Sequence, residues 1–134
     1  MHDARVLIEN YYAAFNRGDW AAMLDLLSDD VVHDLNQGSR EQGREAFRAF
    51  LARMDRCYAE QLRDIAVMSH GDGSRAAAEY VVHGRYKAAD EGLPPARGQA
   101  YVLPGGAFFD IRDGRIARVT NYYNLQDWLA QVAA

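Results

Sequence analysis

Residues 75–87, Arg75-Ala76-Ala77-Ala78-Glu79-Tyr80-Val81-Val82-His83-Gly84-Arg85-Tyr86-Lys87, decide the fold. Their side chains alternate with a period of two, which is the signature of a strand. Tyr80, Val82 and Tyr86 fall on one side, and Glu79, His83 and Arg85 on the other. A strand of this length with one apolar side belongs to a sheet that covers a core. Working backwards, Gly71-Asp72-Gly73 is a turn, and Leu62 to Ser69 repeats the alternation. Working forwards, residues 88–99, with Gly92, Pro94, Pro95 and Gly98, form a loop at one end of the sheet. Tyr101 to Ile111 is a further strand, with Pro104-Gly105-Gly106 predicting a bulge or a strong bend. Asp113-Gly114 is a hairpin signal, and Arg115 to Tyr123 is the last strand. On it Ala117, Val119, Asn121 and Tyr123 oppose Ile116, Arg118, Thr120 and Tyr122, and the side without Arg118 is expected to face inward.

The first half of the chain has the period of helices instead. Leu7, Ile8, Tyr11, Tyr12 and Phe15 mark a helix over about Ala4 to Asn16, which Gly18 ends. Asp19 caps a second helix, Trp20 to Leu27. Ser28-Asp29-Asp30 breaks it, Val31 to Leu35 is a short extended piece, and a polar loop runs from Asn36 to Gly43. Phe47, Phe50, Leu51, Met54 and Tyr58 make the third helix, with Arg44, Arg48, Arg53 and Arg56 on its solvated side. Asn124 is expected to cap a last short helix holding Leu125, Trp128, Leu129 and Val132. Helices followed by strands predict an α+β domain over residues 1–134. A cone-shaped, mostly antiparallel sheet curves around three N-terminal helices, and its unfilled part forms an apolar pocket for a small organic ligand.

The bulk properties narrow the function. The chain has 134 residues, 49% hydrophobic and 25% charged, the balance of an ordinary globular domain. Its formal net charge is −4 with no basic run, which gives nucleic acid no electrostatic purchase. No stretch approaches the roughly 20 apolar residues of a membrane span, and the opening Met1-His2-Asp3 carries no signal-peptide pattern. The single Cys57 predicts no internal disulfide and points to a reducing cytoplasm. His2, His33, His70 and His83 lack metal-ligand spacing, no CxxC occurs, and the glycines fit no phosphate loop. Neither a metal nor a cofactor is expected.

Several motifs together resemble a known family. Tyr11-Tyr12-Ala13-Ala14-Phe15-Asn16-Arg17-Gly18-Asp19, followed by Leu26-Leu27-Ser28-Asp29-Asp30-Val31-Val32, is similar to the nuclear transport factor 2-like superfamily. The nearer likeness is to its SnoaL-like polyketide cyclase and ketosteroid isomerase-related branch. Gly43-Arg44-Glu45-Ala46-Phe47 resembles the start of that family's third helix, and Gly92-Leu93-Pro94-Pro95-Ala96-Arg97-Gly98 its cyclase-type loop. Phe108-Phe109-Asp110-Ile111 and Asp113-Gly114-Arg115-Ile116 resemble its closing hairpin. The resemblance implies a cystatin-like α+β barrel, a homodimer formed through the outer sheet face, and cofactor-free proton transfer on a small hydrophobic carbonyl compound. The same fold also hosts non-catalytic binding and assembly modules.

The resemblance places candidate residues. Matching the His33-Asp34 pair with one deletion places Asp34 at the position of the general base of resembling isomerases, whereas the ungapped count from Asp29-Asp30 falls on Leu35. That base is a carboxylate working in an apolar wall that raises its pKa. Period two lets only one of the sets Val31/His33/Leu35 and Val32/Asp34/Asn36 face the cavity. His33 is therefore the alternative base. Tyr11 matches the tyrosine that hydrogen-bonds the developing enolate oxygen, although a helical stripe also packs such a residue in the core. Tyr12 reads as structural. Asn121, Tyr123, Tyr80 and Tyr86 are expected to line the pocket and contact substrate. The second acid of the resembling steroid isomerases falls on Gly106, so the oxyanion site is incomplete. An Asp–Arg–Asp cluster of the epoxide-hydrolase type cannot be assembled from inward positions.

Overall fold

The computed structural model describes residues 3–133. Met1, His2 and Ala134 lie outside them, as do the readings made of His2 and of the opening residues. The elements are α1 (Ala4–Asn16), α2 (Trp20–Asp25), β1 (Leu27–Asp34), β2 (Arg40–Gln42), α3 (Arg44–Cys57), β3 (Tyr58–Ser69), β4 (Arg75–Tyr86), β5 (Gln99–Arg112), β6 (Arg115–Tyr123) and α4 (Leu125–Ala133). Asp3 caps α1 by accepting from the Arg5 amide, and Asp19 caps α2 by accepting from the Ala22 amide. Gly18, at φ 71°, makes the left-handed turn between them. No helix among the described residues is long and apolar enough to cross a membrane.

The strands form one six-stranded curved sheet in the order β2-β1-β6-β5-β4-β3. Every pairing is antiparallel except β1 with β6, which is parallel. The sheet does not close on itself, because β2 and β3 are both edges. Its concave side carries Val31 and His33 of β1, Leu62 of β3, Tyr80, Val82 and Tyr86 of β4, Leu103 and Phe109 of β5, and Val119 of β6. Leu7, Ile8, Tyr11 and Tyr12 of α1 and Phe47 and Leu51 of α3 fill that concavity. The open β3 edge is tied to α1 by Asn16. Its side-chain amide donates to the Leu62 carbonyl at 2.9 Å and accepts from the Leu62 amide at 2.8 Å, as a neighbouring strand would.

Four boundaries differ from expectation. The second helix stops at Asp25, and Ser28-Asp29-Asp30 lies within a strand, because β1 gains a ladder by pairing Leu27 with Ile116. The loop from Asn36 contains β2, which pairs back on β1 through Gln42, Glu41 and Arg40. β3 begins at Tyr58, immediately after α3 with no intervening turn residue. Pro104-Gly105-Gly106 pairs with β4 in unbroken register. Pro104 lies just beyond the last β5–β6 pair, Gly105 with Tyr123, so it sits where one side of β5 has no partner. The irregularities fall instead between Asp110 and Ile111 and between Arg63 and Ala66.

Two glycines of the concave face make room for aromatic rings. A Cβ at Gly84 would lie 2.3 Å from the Tyr101 ring, and one at Gly105 would lie 2.7 Å from the Tyr80 ring. Each tyrosine thus lies flat across the backbone of the adjacent strand. Gly84→Ala is expected to lower stability in urea unfolding by about 2 kcal/mol through overpacking. The control Gly71→Ala, at a site with open space around it, should change it by less than about 0.5 kcal/mol.

Candidate active site

A cavity of about 550 Å³ occupies the cone between the sheet, α1, α3 and the loop 88–98. Tyr11, Phe50, Leu51 and Leu103 supply much of its apolar wall. A smaller cavity of about 290 Å³ adjoins it, and Glu60 and Tyr58 line both.

Glu60 is one of four acids that line this cavity, with Glu41, Asp90 and Glu91. It precedes Leu62 by two residues on β3, so the same period-two parity turns it inward, opposite Gly84. Tyr101, lying across Gly84, donates its hydroxyl to Glu60 Oε2 at 2.5 Å. Burial raises the Glu60 pKa above the ordinary carboxylate range, and the Tyr101 hydrogen bond opposes that rise only in part. Among the described residues the carboxyl group has no other hydrogen bond. Glu60 is hidden in the sequence because the apolar stripe of the third helix runs on to Tyr58 and the alternation is plain only from Leu62. The backward extension Leu62, Glu60, Tyr58 is the signal that reveals it.

Asp34 stands on the opposite side of the sheet, and its expected place in an apolar wall is corrected. Its carboxylate accepts from Arg40 Nε at 2.6 Å, Arg40 Nη2 at 3.1 Å and the Thr120 hydroxyl at 2.8 Å. The Arg40 hydrogen bond, with help from Thr120 and Arg118, holds its pKa below the ordinary value. The inward set of β1 is Val31, His33 and Leu35, of which Leu35 lines the cavity.

His33 is 1% exposed and packs between Phe47 and Phe50, each ring centroid 4.5 Å away. Its Nε2 lies 3.1 Å from Asn121 Nδ2, and its Nδ1 lies 3.9 Å from Glu41 Oε1, directly across the β1–β2 ladder. Burial lowers its pKa to about 4, against a smaller opposing effect of Asp34. The imidazole is therefore neutral at physiological pH.

The tyrosines divide. Tyr11 and Tyr12 of α1 and Tyr80 of β4 line the cavity as a run of rings, with centroids 5.1 Å apart for Tyr11–Tyr12 and 5.3 Å for Tyr12–Tyr80. Burial raises the pKa of all three, that of Tyr80 to about 12, so each stays a protonated hydrogen-bond donor. The Tyr12 hydroxyl is buried with no hydrogen-bond partner among the described residues. Asn121 and Tyr123 line the same cavity, Tyr123 at its partly exposed rim. Tyr86 does not line it, contrary to expectation. It is fully buried, and its hydroxyl donates to the Pro94 carbonyl and accepts from the Asp90 amide, so its polar end is spent on holding the 88–98 loop. Gly106 falls on the outward parity of β5, and the inward glycine, Gly105, is covered by Tyr80. Neither position supplies a second acid. No group of three or more His, Cys, Asp or Glu side chains suited to a metal occurs among the described residues.

The buried His33 makes stability depend on pH in one direction. The unfolded chain, with an ordinary value of 6.5, takes up this proton before the folded one does. The contribution of His33 is therefore whole above about pH 6.5 and lost as pH falls toward 4, about 3 kcal/mol in total. Urea titrations across that range should show the loss in the parent protein and a shallower slope in His33→Phe.

Comparison with known proteins agrees with this architecture. Residues 8–119 match the SnoaL-like domain family. A Pseudomonas putida protein proposed to be a polyketide cyclase is 62% identical, over 98% of this chain and 99% of that one, with a TM-score of 0.97. A Xanthomonas campestris protein with the same proposed activity is 66% identical, over 96% of each chain, with a TM-score of 0.93. An NTF2-like protein of unknown function from Burkholderia pseudomallei shares the fold at 16% identity, with full coverage of both chains and a TM-score of 0.77. No curated protein matches at a significant level. With a family match over most of its length, the chain belongs to the SnoaL-like domain family, and its six-stranded cone is the fold of the NTF2-like protein.

Proposed function

We propose that this protein is a cofactor-independent enzyme of the isomerase or cyclase type, moving a proton on a small hydrophobic carbonyl compound, with Glu60 as its base. The observation that carries the reading is an inward, desolvated carboxyl group bonded to a tyrosine inside an organic-sized cavity. An apolar cavity without such a group would suit simple binding. Proteins proposed to be polyketide cyclases, at 62% and 66% identity, add weight to it.

In this scheme Glu60 takes a proton from the carbon beside the carbonyl, and the C–H electron pair moves to the carbonyl oxygen. Tyr11 and Tyr80 donate hydrogen bonds to that oxygen, stabilising charge that exists only as the enolate forms. The Glu60 carboxylic acid then returns its proton to carbon. A pKa raised by burial makes Glu60 a stronger base than an exposed carboxylate. Asp34, held by Arg40 and Thr120 outside the cone, takes no part.

The outer sheet face supports a homodimer. Met68 is 55% exposed, Phe108 46% and Tyr122 47%. Met68, Ala77 and Phe108 lie in one row through successive strand pairs, and the Phe108 and Tyr122 rings meet edge to face at 5.5 Å. A second copy packed on this apolar strip would cover it. The free, buried Cys57 fits a reducing compartment such as the cytoplasm.

Two measurements test these readings. Exchange of the protons beside the carbonyl of 2-tetralone into deuterium oxide, followed by NMR, should run faster with the protein than in buffer. Glu60→Gln should slow it by about 100-fold or more, while Asp34→Asn leaves it within about threefold. Absence of catalysed exchange, or an unaffected Glu60→Gln protein, returns the cavity to a binding role. In sedimentation at micromolar concentration the parent should be a dimer and the doubly substituted Phe108→Glu, Tyr122→Glu protein a monomer.

A further inference from the structure

At the end of the cavity bounded by β1 and β2, three polar side chains stand in a line that the proton-transfer scheme leaves unused. Glu41, His33 and Asn121 come from β2, β1 and β6, and their order follows from adjacent strand pairings, Glu41 with His33 and His33 with Val119. Glu41 and Asn121 line the cavity, and His33 lies behind them against Phe47 and Phe50. His33 Nδ1 and Glu41 Oε1 are both buried and have no hydrogen-bond partner among the described residues.

Only one proton arrangement suits this line. A neutral imidazole carries one N–H and one bare nitrogen. A carboxyl oxygen 3.9 Å from Nδ1 attracts an N–H at that position and repels a lone pair. With the proton on Nδ1, Nε2 is bare and can only accept. The group of Asn121 facing it at 3.1 Å must then be the amide nitrogen, which donates. The amide carbonyl is consequently turned the other way. It has no hydrogen-bond partner among the described residues, and Asn121 belongs to the cavity wall.

We propose that Asn121 is a specificity-determining residue that recognises a hydroxyl group of the ligand through its carbonyl oxygen, with His33 and Glu41 as positioning residues that fix its orientation. The inference rests on the reading of the cavity as a site for a small organic molecule. It adds that this molecule is an uncharged hydrophobic compound bearing a hydroxyl as well as a carbonyl group. The two functions would be sorted by complementary chemistry. Tyr11 and Tyr80 can donate to the carbonyl, whereas Asn121, with one amide N–H given to His33, offers its carbonyl oxygen as an acceptor. A ligand that covered this carbonyl without offering a donor would leave it unsatisfied, a penalty that discriminates strongly between otherwise similar molecules.

The test has two arms. Long-range proton–nitrogen NMR spectra of the histidine rings report which His33 nitrogen carries the proton, with His33→Phe giving the assignment. The parent protein should show the proton on Nδ1, and Glu41→Leu should move some or all of it to Nε2. Separately, calorimetry compares 2-naphthol with 2-methoxynaphthalene, which keeps the ring system but lacks the donor. The parent should bind 2-naphthol about tenfold more tightly or better. The preference should vanish in Asn121→Leu and shrink in Glu41→Leu. A proton on Nε2 in the parent, equal affinity for the two probes, binding of neither, or a preference surviving Asn121→Leu would each overturn the proposal. Near-ultraviolet circular dichroism shows whether each variant is folded, and the tautomer in the parent stands free of any variant's folding. Loss of the catalytic reading would appear elsewhere, as unaltered proton exchange in Glu60→Gln with the naphthol preference intact.

Discussion

The cone depends on how its open side is fastened. A six-stranded sheet with two free edges could uncurl, and the concave cavity would flatten with it. Asn16, the last residue of α1, prevents this by giving one amide side chain to both backbone groups of Leu62. Gln61 adds a bond from its side chain to the Asn16 carbonyl at 2.8 Å. The fastening joins the helix that fills the cone to the strand that ends it. Glu60 stands two residues from that joint, so the depth at which its carboxyl group sits is set by the same contact. Tyr101 completes the arrangement from β5, and it reaches Glu60 only because Gly84 leaves its ring a path.

The two faces of the sheet treat carboxylates differently. Outside, Asp34 and Asp110 belong to a chain of contacts that runs from Arg40 on β2 through Asp34 on β1, Thr120 and Arg118 on β6 and Asp110 on β5 to Arg75 on β4. Such exposed pairs contribute little one at a time. Strung across five strands they favour one register over a slipped one, since a shift by one residue would bring every partner to the wrong face. The fixed cations lower the pKa of both aspartates. Inside, Glu60 has a phenol for company and no cation, and burial moves its pKa the other way. The same functional group is thus a charged anchor on one face and a desolvated acid on the other.

Much of the fold was legible in the sequence because the periodic segments are long. The stripe of α1, the alternation of β4 and the Asp113-Gly114 hairpin needed only local rules. What escaped was decided by partners distant in the chain. β2 is three polar residues whose strand character comes entirely from pairing with β1. Leu27 to Asp30 leaves a helical neighbourhood because Ile116, far along the chain, pairs with Leu27. The site was half legible for the same reason. Parity identified Tyr80, Asn121 and the choice between His33 and Asp34. It could not say which parity of β1 faces inward, and it missed Glu60 because the junction of α3 and β3 carries no turn residue. Tyr86 was placed on the correct face, yet its hydroxyl was already engaged by a loop whose path no local pattern describes.

The parallel pairing of β1 with β6 has a consequence for synthesis. Every other ladder in the sheet joins strands that are neighbours in sequence, whereas this one joins Leu27–Asp34 to Arg115–Tyr123. At about 5–20 residues per second, the ribosome delivers β6 on the order of ten seconds after β1. For that interval β1 has only the short β2 beside it, and the hydrophobic sides of α1 and α3 lack the part of their cover that β6 supplies. The nascent chain therefore holds an unfinished sheet edge next to exposed aromatic side chains, a state that invites chaperone capture or association with other nascent copies. The sheet is complete only once β6 is available, because that strand pairs with both β1 and β5 and joins the two halves.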